Sequence, residues 1–197
     1  MQKSAAILID LQNGFIGGDS PFELTGIPQL IANVETLVAG LRNENIPIVW
    51  TRVYLDEWTD SPYSALWPNH FSGGRAAFLA RNTKSFDFIP AVRELIQAHD
   101  IVIDKPRYSA FLRTDLEVRL RASNVGHLFF AGVTTNVCVE SSLRDAFQRD
   151  FSCTLVKDCT LTFTPAWQAC TEEIVNLVFG RVASLDDCIG RFSQSAR

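Results

Sequence analysis

Short apolar runs alternate along this chain with longer stretches in which apolar residues recur every three or four positions. A continuous apolar run of five to nine residues is typical of a buried strand, and the recurring pattern is typical of an amphipathic helix. The runs predict strands at 5–9, 46–54, 100–104, 127–133 and 151–158, with a last short strand and turn at 181–189. The amphipathic stretches predict helices at 27–45, 88–99, 114–123, 138–150 and 164–180.

Regular alternation of strands and helices predicts the fold class. It indicates a parallel sheet covered by helices on both faces. We therefore expect one α/β domain over residues 1–197, a Rossmann-like three-layer α/β/α sandwich around a mostly parallel six-stranded sheet. Thr114 and Glu117 form a capping-box pattern at the start of the 114–123 helix. Pro165 and Gly180 mark the two ends of the 164–180 helix.

One long segment breaks the alternation. Residues 55–87 contain Trp58, Trp67, two prolines and a Gly-Gly pair. A connection of this length in a compact domain is usually functional, so we expect a lid or a subunit contact there.

Composition and charge narrow the possible partners. The 18 basic and 22 acidic residues give a net charge of −4, and no basic cluster exceeds a pair, which argues against nucleic acid. No apolar stretch approaches the roughly 20 residues that span a bilayer. Asp10 interrupts the first apolar run too early for a signal peptide, so we expect a cytoplasmic protein.

Five cysteines without metal-type spacing suggest free thiols in a reducing compartment, and four of them are expected to be small buried apolar residues: Cys153, Cys159, Cys170 and Cys188.

Three chemically distinct residues lie where predicted strands end. Asp10 follows the first strand, Lys105 follows the third, and Cys138 follows the fourth through the sequence GVTTNVC. Ligands of parallel α/β sheets bind beyond the carboxyl ends of the strands. If these residues converge through neighbouring strands, the strand order is 2-1-3-4-5-6. Taken singly, Cys138 could be a buried thiol, Asp10 a loop cap, and Lys105 a partner of a surface carboxylate such as Asp104 or Asp158.

The three side chains together suit nucleophilic catalysis. The thiolate is the attacking form of cysteine, and a helix start and the Lys105 charge would both favour it. Asp10 could take the thiol proton and return it to a leaving amine. Backbone N–H groups at the start of the 138–150 helix could hold an oxyanion. This arrangement needs no cofactor.

Three segments carry a resemblance to a known family. They are DLQNGF (10–15), DKPRYSAF (104–111) and AGVTTNVCVESSLRDAF (131–147). In sequence and order they resemble the signatures of the isochorismatase-like cysteine hydrolases, relatives of N-carbamoylsarcosine amidohydrolase, nicotinamidase and isochorismatase. The resemblance implies an Asp10–Lys105–Cys138 triad and a cis peptide bond between Val133 and Thr134. It also implies an oxyanion hole formed by the N–H groups of Thr134 and Cys138, and a homo-oligomer, either a dimer or a tetramer.

Several further residues are candidates for binding a small-molecule substrate: Gln12, Phe15, Trp67, Tyr108 and Phe111. Gln12 could instead orient Asp10 or form a turn, and the aromatic residues could belong to the core. Arg52, at the end of the second strand, could bind a substrate carboxylate or form a surface ion pair. Trp50, inside that strand, is expected in the core.

Two departures from the family pattern matter. Nicotinamidases carry a metal site of the form Asp-x-His followed shortly by another His, whereas here Asp56 precedes Glu57 and Trp58, and the nearest histidine is His70. We therefore expect no bound metal and no nicotinamidase. Gly14 replaces a common acidic residue in the first motif, with a consequence that the sequence does not indicate.

The sequence leads to one main functional hypothesis and two alternatives. The main one is a cofactor-free hydrolase of a small linear amide or N-carbamoyl compound, acting through a thioester at Cys138 with release of ammonia. The first alternative is the isochorismatase reaction, hydrolysis of a vinyl ether, which needs Asp10 as a general acid but no thiol. The second is a non-catalytic binding or thiol-sensing protein on the same scaffold.

Overall fold

The chain forms a six-stranded sheet with every strand parallel to its neighbours. A computed structural model describes residues 2–55 and 78–195. The strands are β1 (Lys3–Ile9), β2 (Ile48–Val53), β3 (Ile101–Lys105), β4 (Val125–Val133), β5 (Ser152–Leu161) and β6 (Arg181–Ala183). The α-helices are α1 (Asn13–Ile16), α2 (Ile27–Asn43), α3 (Pro90–Leu95), α4 (Leu116–Ala122), α5 (Glu140–Phe147), α6 (Pro165–Ile174) and α7 (Leu185–Ser195). Two π-helical turns, π1 (Thr135–Val139) and π2 (Val175–Phe179), precede α5 and extend α6.

Helices cover both faces of the sheet, because alternate residues of each strand point to opposite sides. Ala6 and Leu8 of β1 pack in one core with α2 and α7. Ala5, Ile7 and Ile9 pack in the other core with α4 and α5. The continuous apolar runs thus fill two cores, and the predicted three-layer α/β/α sandwich is confirmed.

The strand order is 3-2-1-4-5-6, so the predicted order 2-1-3-4-5-6 is wrong. β3 lies at the edge beside β2, with Val53 opposite Lys105. β1 pairs directly with β4, from Lys3 opposite Val125 to Ile9 opposite Gly132. The prediction assumed that three converging residues require three adjacent strands. A lysine side chain is long enough to reach past the end of an intervening strand.

Several predicted helix boundaries also need correction. The helix predicted at 114–123 begins after Asp115, which makes no capping bond through its side chain, and the Glu117 carboxylate pairs with arginines instead. The segment predicted as a turn within 181–189 is the start of α7, which covers the sheet through Leu185 and Cys188. The helix predicted at 88–99 ends at Leu95.

A buried ion pair joins α2 to the start of β3. The Asp100 carboxylate, with no exposed side-chain surface, accepts hydrogen bonds from Arg42 at 2.6 and 2.7 Å and from the Trp50 indole at 2.9 Å. Burial is the largest influence on the pKa of Asp100 and raises it. The hydrogen bonds from Arg42, Gln97 N–H and Trp50 together outweigh burial and hold this pKa below its ordinary 3.8. Trp50 is fully buried, as predicted.

Within the described ranges, no helix combines the length and the apolar character needed to cross a bilayer. Trp58 and Trp67, like most of the segment 55–87 in which a lid was predicted, lie outside the described residues.

Candidate active site

The carboxyl edge of the sheet holds a fully buried ion pair between residues 95 positions apart in the chain. Lys105 Nζ lies 2.6 Å from Asp10 Oδ2, and neither side chain has exposed surface. The ammonium also donates to the carbonyl oxygens of Arg107, at 3.1 Å, and Tyr108, at 2.9 Å. Three acceptors therefore surround the one cation, which is what a buried charge requires. Pairing of Lys105 with Asp104 or Asp158 at the surface does not occur.

Thr51 fixes the Asp10 carboxylate from the side opposite to the ammonium. Its hydroxyl donates to Asp10 Oδ1 at 2.7 Å, and both its carbonyl and its hydroxyl accept from the Asp10 N–H. Asp10 has φ +52°, in the left-handed region that an aspartate adopts only where its surroundings hold it there. Sequence reasoning missed Thr51, although a polar residue near the carboxyl end of an otherwise apolar strand is a usable signal.

Cys138 lies in π1, beside the ion pair, because β4 and β1 are neighbours and end at the same level. The predicted helix 138–150 in fact begins three residues earlier, at Thr135, so that Cys138 is inside the π-helical turn and not the first residue of the helix. Its side chain is 4% exposed.

The surroundings of the Cys138 thiol favour its protonated form. Burial is the main cause and raises the pKa of Cys138 far above its ordinary value. The Lys105 charge lowers this pKa, and the Asp10 charge raises it. Both charged groups therefore lie near enough to the sulfur to influence its pKa, but the expectation of a stabilised resting thiolate does not fit the direction of the shift.

The backbone between β4 and π1 is unusual at two neighbouring positions. Gly132 has φ +112°, and a Cβ there would lie 2.1 Å from the carbonyl oxygen of Ile9, so only glycine allows β4 to approach β1 so closely. The next peptide bond, between Val133 and Thr134, is cis. In the part of the chain that the structure describes, the Thr134 N–H has no hydrogen-bond acceptor.

Side chains from three other segments hold π1 in place. Thr135 donates to Gln168 of α6 at 2.7 Å, and Asn136 accepts from Thr162 at 2.5 Å. The fully buried Ser142 hydroxyl of α5 donates to the Cys138 carbonyl at 2.7 Å. The same hydroxyl accepts from the Ala110 N–H at 3.0 Å, which joins π1 to the segment that receives the Lys105 ammonium. Serine and threonine in a helix or loop carry no distinctive sequence signal, so these contacts could not be predicted.

Gln12, a predicted substrate-binding residue, is instead bonded to the backbone on all sides. Its Nε2 donates to the carbonyls of Val53, at 3.1 Å, and Phe86, at 2.7 Å, and its Oε1 accepts from the Val53 N–H at 2.8 Å. The side chain is fully buried. Both N–H groups of the amide are thus used to connect the segment after β1 with Val53 of β2 and with Phe86. In the structure Gln12 therefore has a structural role in place of the expected substrate-binding role.

The predicted aromatic residues are not brought together. Phe15 stacks on Phe22 with ring centroids 5.6 Å apart, and it belongs to the core on the α2 side. Phe111 packs in the opposite core against Phe151, at 5.9 Å. Tyr108 is half-buried and contributes its carbonyl to Lys105. Trp67 lies outside the described residues.

Two further expectations can be compared with the structure, the role of Arg52 and the burial of the cysteines. Arg52 forms ion pairs, with Asp104 at 2.8 Å and Asp87 at 3.9 Å, and its guanidinium lies over the ring of Phe86. All five cysteines are free thiols, but Cys170 is exposed, contrary to its predicted burial, because it lies on the outer side of α6.

Metal-ligating side chains do not cluster among residues 2–55 and 78–195, where no group of three His, Cys, Asp or Glu could hold an ion. The positions compared with the nicotinamidase metal site (Asp56, Glu57, Trp58 and His70) fall outside these ranges.

The fold and the grouped side chains define a class: a parallel α/β protein with a thiol, a carboxylate and an ammonium at the carboxyl edge of its sheet. Residues 4–187 match the family model described as isochorismatase domain. The chain belongs to the isochorismatase family.

Named relatives and solved structures agree with this assignment. The chain is 32% identical to ureidoacrylate amidohydrolase RutB of Variovorax paradoxus, over 96% of this chain and 81% of the relative. It is 33% identical to the protein of the same name from Enterobacter sp., over 94% and 87%. A cysteine hydrolase from Pseudomonas syringae superposes with a TM-score of 0.88 at 23% identity, covering 98% of this chain and 93% of that one. An N-carbamoylsarcosine amidase from Thermoplasma acidophilum superposes with a TM-score of 0.76 at 22% identity, over 93% and 97%. The last two likenesses show the fold.

Proposed function

We propose that this protein is an amidohydrolase of small linear amide or N-carbamoyl compounds and that it acts through a thioester at Cys138. The observation that carries the proposal is the buried contact of Asp10 with Lys105 next to the Cys138 thiol. The relatives named ureidoacrylate amidohydrolase, at 30% identity or above, support a ureido compound as the substrate class.

The first half of the reaction makes a thioester. Because burial favours the protonated thiol, attack on the substrate carbonyl carbon transfers the thiol proton to the Asp10 carboxylate as the carbon–sulfur bond forms. The tetrahedral intermediate then collapses, the carbon–nitrogen bond breaks, and Asp10 returns the proton to the departing amine. The products of this half-reaction are ammonia and the Cys138 thioester.

The second half restores the enzyme. Asp10 takes a proton from a water molecule, whose oxygen attacks the thioester carbonyl. Collapse of this second intermediate breaks the carbon–sulfur bond, and the proton on Asp10 goes back to the sulfur. Throughout both halves Lys105 holds the Asp10 carboxylate in place beside the thiol through their 2.6 Å contact.

Backbone N–H groups are proposed to stabilise the two oxyanions. The Thr134 N–H, beside the cis peptide bond, has no acceptor among the described residues, and Cys138 supplies the second N–H of the predicted pair. Donors fixed by the fold in this way commonly lower the barrier of acyl transfer by about 3–4 kcal/mol per group.

The proposal also covers the cellular compartment and the domain organisation of the enzyme. Five free thiols favour a reducing compartment, and we place the protein in the cytoplasm on this ground. The family match over residues 4–187, and a sheet built from strands between residues 3 and 183, support one domain for residues 1–197.

The test is ammonia release from a panel of small amides, ureas and N-carbamoyl acids, including ureidoacrylate and N-carbamoylsarcosine. We expect wild type to hydrolyse a ureido or carbamoyl compound and Cys138→Ala to lose essentially all turnover. Cys153→Ala is the matched control, because Cys153 is also a buried thiol whose pKa is raised by burial, to about 12, but it lies at the opposite end of the sheet.

Three outcomes would contradict the proposal. If Cys138→Ala keeps full ammonia release, the thiol is not the nucleophile; if wild type releases no ammonia but hydrolyses isochorismate, the vinyl-ether reaction is favoured. If wild type turns over no compound while Cys138 reacts with iodoacetamide in a pH-dependent manner, a thiol-sensing role is favoured.

A further inference from the structure

A glutamine of α6 lies against the turn that carries Cys138 and uses both ends of its amide. Gln168 Oε1 accepts a hydrogen bond from the Thr135 hydroxyl at 2.7 Å. Its Nε2 donates to Glu172 Oε1 at 2.7 Å and to Thr160 Oγ1 at 3.2 Å. Because both N–H groups of the amide are engaged, its oxygen is fixed toward Thr135 and the amide has one orientation.

The partners of this amide lie on both sides of the residue that supplies the proposed oxyanion donor. Thr135 directly follows Thr134 and is fully buried. Thr160 lies opposite Gly132 in the pairing of β4 with β5, two residues before Thr134. Gln168 therefore connects the backbone before Thr134 with the backbone after it through a single side chain.

The helix that presents Gln168 is itself held in place. Thr164 caps the start of α6 through its side chain. Thr171 donates to Glu140 of α5 at 3.1 Å, and Val175, where α6 continues into π2, is fully buried. A side chain on a helix fixed at both ends defines a position more closely than one on a loop.

The hydrogen bond from Thr135 to Gln168 controls where the neighbouring backbone points. Without the amide oxygen of Gln168, a buried hydroxyl loses its acceptor, so the turn is expected to shift until the hydroxyl finds another. Such a shift also rotates the N–H of Thr134, and a hydrogen bond weakens steeply as its donor turns away from the acceptor.

We propose that Gln168 is a positioning residue for the oxyanion site. By holding Thr135, it aims the N–H of Thr134 at the substrate oxygen that becomes negative during attack; this inference rests on the proposed thioester mechanism. The charge on that oxygen develops only as the carbon–sulfur bond forms. Gln168 therefore stabilises the transition state more than it strengthens the binding of the substrate.

The first test separates kcat from KM with the ureido or carbamoyl compound that wild type hydrolyses. Gln168→Leu should lower kcat about 10–100-fold, less than the loss of a whole oxyanion donor, and should change KM less than about threefold. Thr135→Val replaces the hydroxyl by a methyl group and should have the same effect. In Gln168→Leu/Thr135→Val kcat should fall no further, because both changes break one hydrogen bond.

A reciprocal exchange tests the orientation of the amide. Gln168→Glu keeps an acceptor for Thr135 but places a second carboxylate beside Glu172, so kcat should fall. In Gln168→Glu/Glu172→Gln the amide at position 172 donates to the carboxylate at position 168, and kcat should return to within about threefold of wild type. Gln29→Leu is the control and should leave kcat unchanged, because the exposed Gln29 amide donates to Asn33 of its own helix, at 2.8 Å.

A second readout needs no turnover. Propanal forms a reversible hemithioacetal with a thiol: the sulfur adds to the carbonyl carbon, the carbon–oxygen π bond breaks, and the thiol proton passes to the oxygen. That oxygen takes the place of the proposed oxyanion. Protection of Cys138 from iodoacetamide, followed by mass spectrometry of the peptide that contains it, gives the dissociation constant of propanal. This constant should rise about 3–10-fold in Gln168→Leu, the loss of one ordinary hydrogen bond.

The outcomes distinguish this inference from the proposed function. If wild type hydrolyses no amide but propanal binds more weakly to Gln168→Leu, the positioning role is supported and the proposed amide hydrolysis is wrong. A wild type that neither hydrolyses an amide nor binds propanal overturns both.

Three results overturn the inference alone, with circular dichroism confirming that the variants are folded. The first is a kcat and a propanal affinity of Gln168→Leu that both stay within about twofold of wild type. The second is an effect of Thr135→Val that multiplies with that of Gln168→Leu. The third is an exchange variant that stays as slow as Gln168→Glu. If Gln168→Leu does not fold, Thr135→Val and the exchange variant carry the same test.

Discussion

Removing either partner of the buried Lys105–Asp10 pair should cost more stability than removing both. Lys105→Met leaves the Asp10 carboxylate buried without a compensating positive charge, although the Thr51 hydroxyl still donates to it. Asp10→Asn leaves the ammonium buried with neutral acceptors alone, the carbonyls of Arg107 and Tyr108 and the amide oxygen that the substitution introduces, and without a compensating negative charge. Breaking a buried pair in this way costs about 3–5 kcal/mol, because an uncompensated charge remains.

The double variant Asp10→Asn/Lys105→Met contains no buried charge at this place. Its remaining cost comes from the two carbonyls that lose the ammonium as a donor, together roughly 1–2 kcal/mol. We therefore expect the double variant to be more stable than either single variant by about 2 kcal/mol, with a strongly non-additive cycle.

Turnover should not follow stability across the three variants. Each single variant should lose about 10²–10⁴-fold in turnover, since the proton carrier or the group that positions it is gone. The double variant should recover stability without recovering activity, because it has no group that can accept the thiol proton.

The assay is urea unfolding at pH 7, with equal slopes against denaturant confirming a comparison of stability alone. In thermal unfolding, a chain of this size shifts by about 2–4 °C per kcal/mol, so each single variant should melt roughly 6–20 °C lower than wild type. The reasoning is refuted if Lys105→Met costs less than about 1 kcal/mol, or if the double variant loses the sum of the two single losses.

Three further predictions concern positions outside this pair. Asp100→Asn should destabilise the protein by about 1–3 kcal/mol at pH 7. Because the folded-state pKa of Asp100 is lowered, this difference should shrink as pH falls below about 3.8, and equal differences at pH 7 and pH 3 in urea unfolding would contradict the ion-pair account. Ser142→Ala leaves the buried Ala110 N–H without its acceptor and should cost about 1–3 kcal/mol, measured by calorimetry; an unchanged melting temperature would count against the link. Gly132→Ala should cost at least about 3 kcal/mol or abolish folding, whereas Gly18→Ala, which meets no atom within 4 Å, should stay within about 0.5 kcal/mol by the same measurement.

The fold class could be predicted because its signal is local and repeated. A strand that is buried on both faces is apolar over its central residues, and Leu128, Phe129 and Phe130 of β4 show this directly. The strand order could not be predicted in the same way. The order was inferred from three residues that converge, and that inference depends on how far each side chain reaches. Lys105 reaches past the end of β2 to meet Asp10.

The missed elements have two different causes, an overlooked local pattern and a tertiary contact. α7 carries a helical signal that sequence reasoning overlooked, because Leu185, Cys188 and Ile189 stand at positions i, i+3 and i+4 and pack in or against the core. Gln12 follows Asp10 by two residues and resembled a pocket residue, but its amide matches the unpaired backbone groups of Val53 and Phe86. The contacts of Gln12 are with residues 41 and 74 positions away, so they are not visible before the chain is folded.

The state of Cys138 shows how the site and the fold depend on each other. Sequence reasoning placed a thiolate at a helix start beside a lysine, a setting that lowers the pKa of a thiol in water-exposed sites. The folded chain instead buries the sulfur with both charges of an ion pair, so burial raises its pKa and the Lys105 charge is largely balanced by Asp10. A protonated nucleophile becomes reactive only if its proton can leave as the new bond forms, and in the described site the Asp10 carboxylate is the neighbouring base. The carboxylate that makes Lys105 tolerable in the interior is therefore the same group that the proposed chemistry requires, and this is why stability and activity should separate in the double variant.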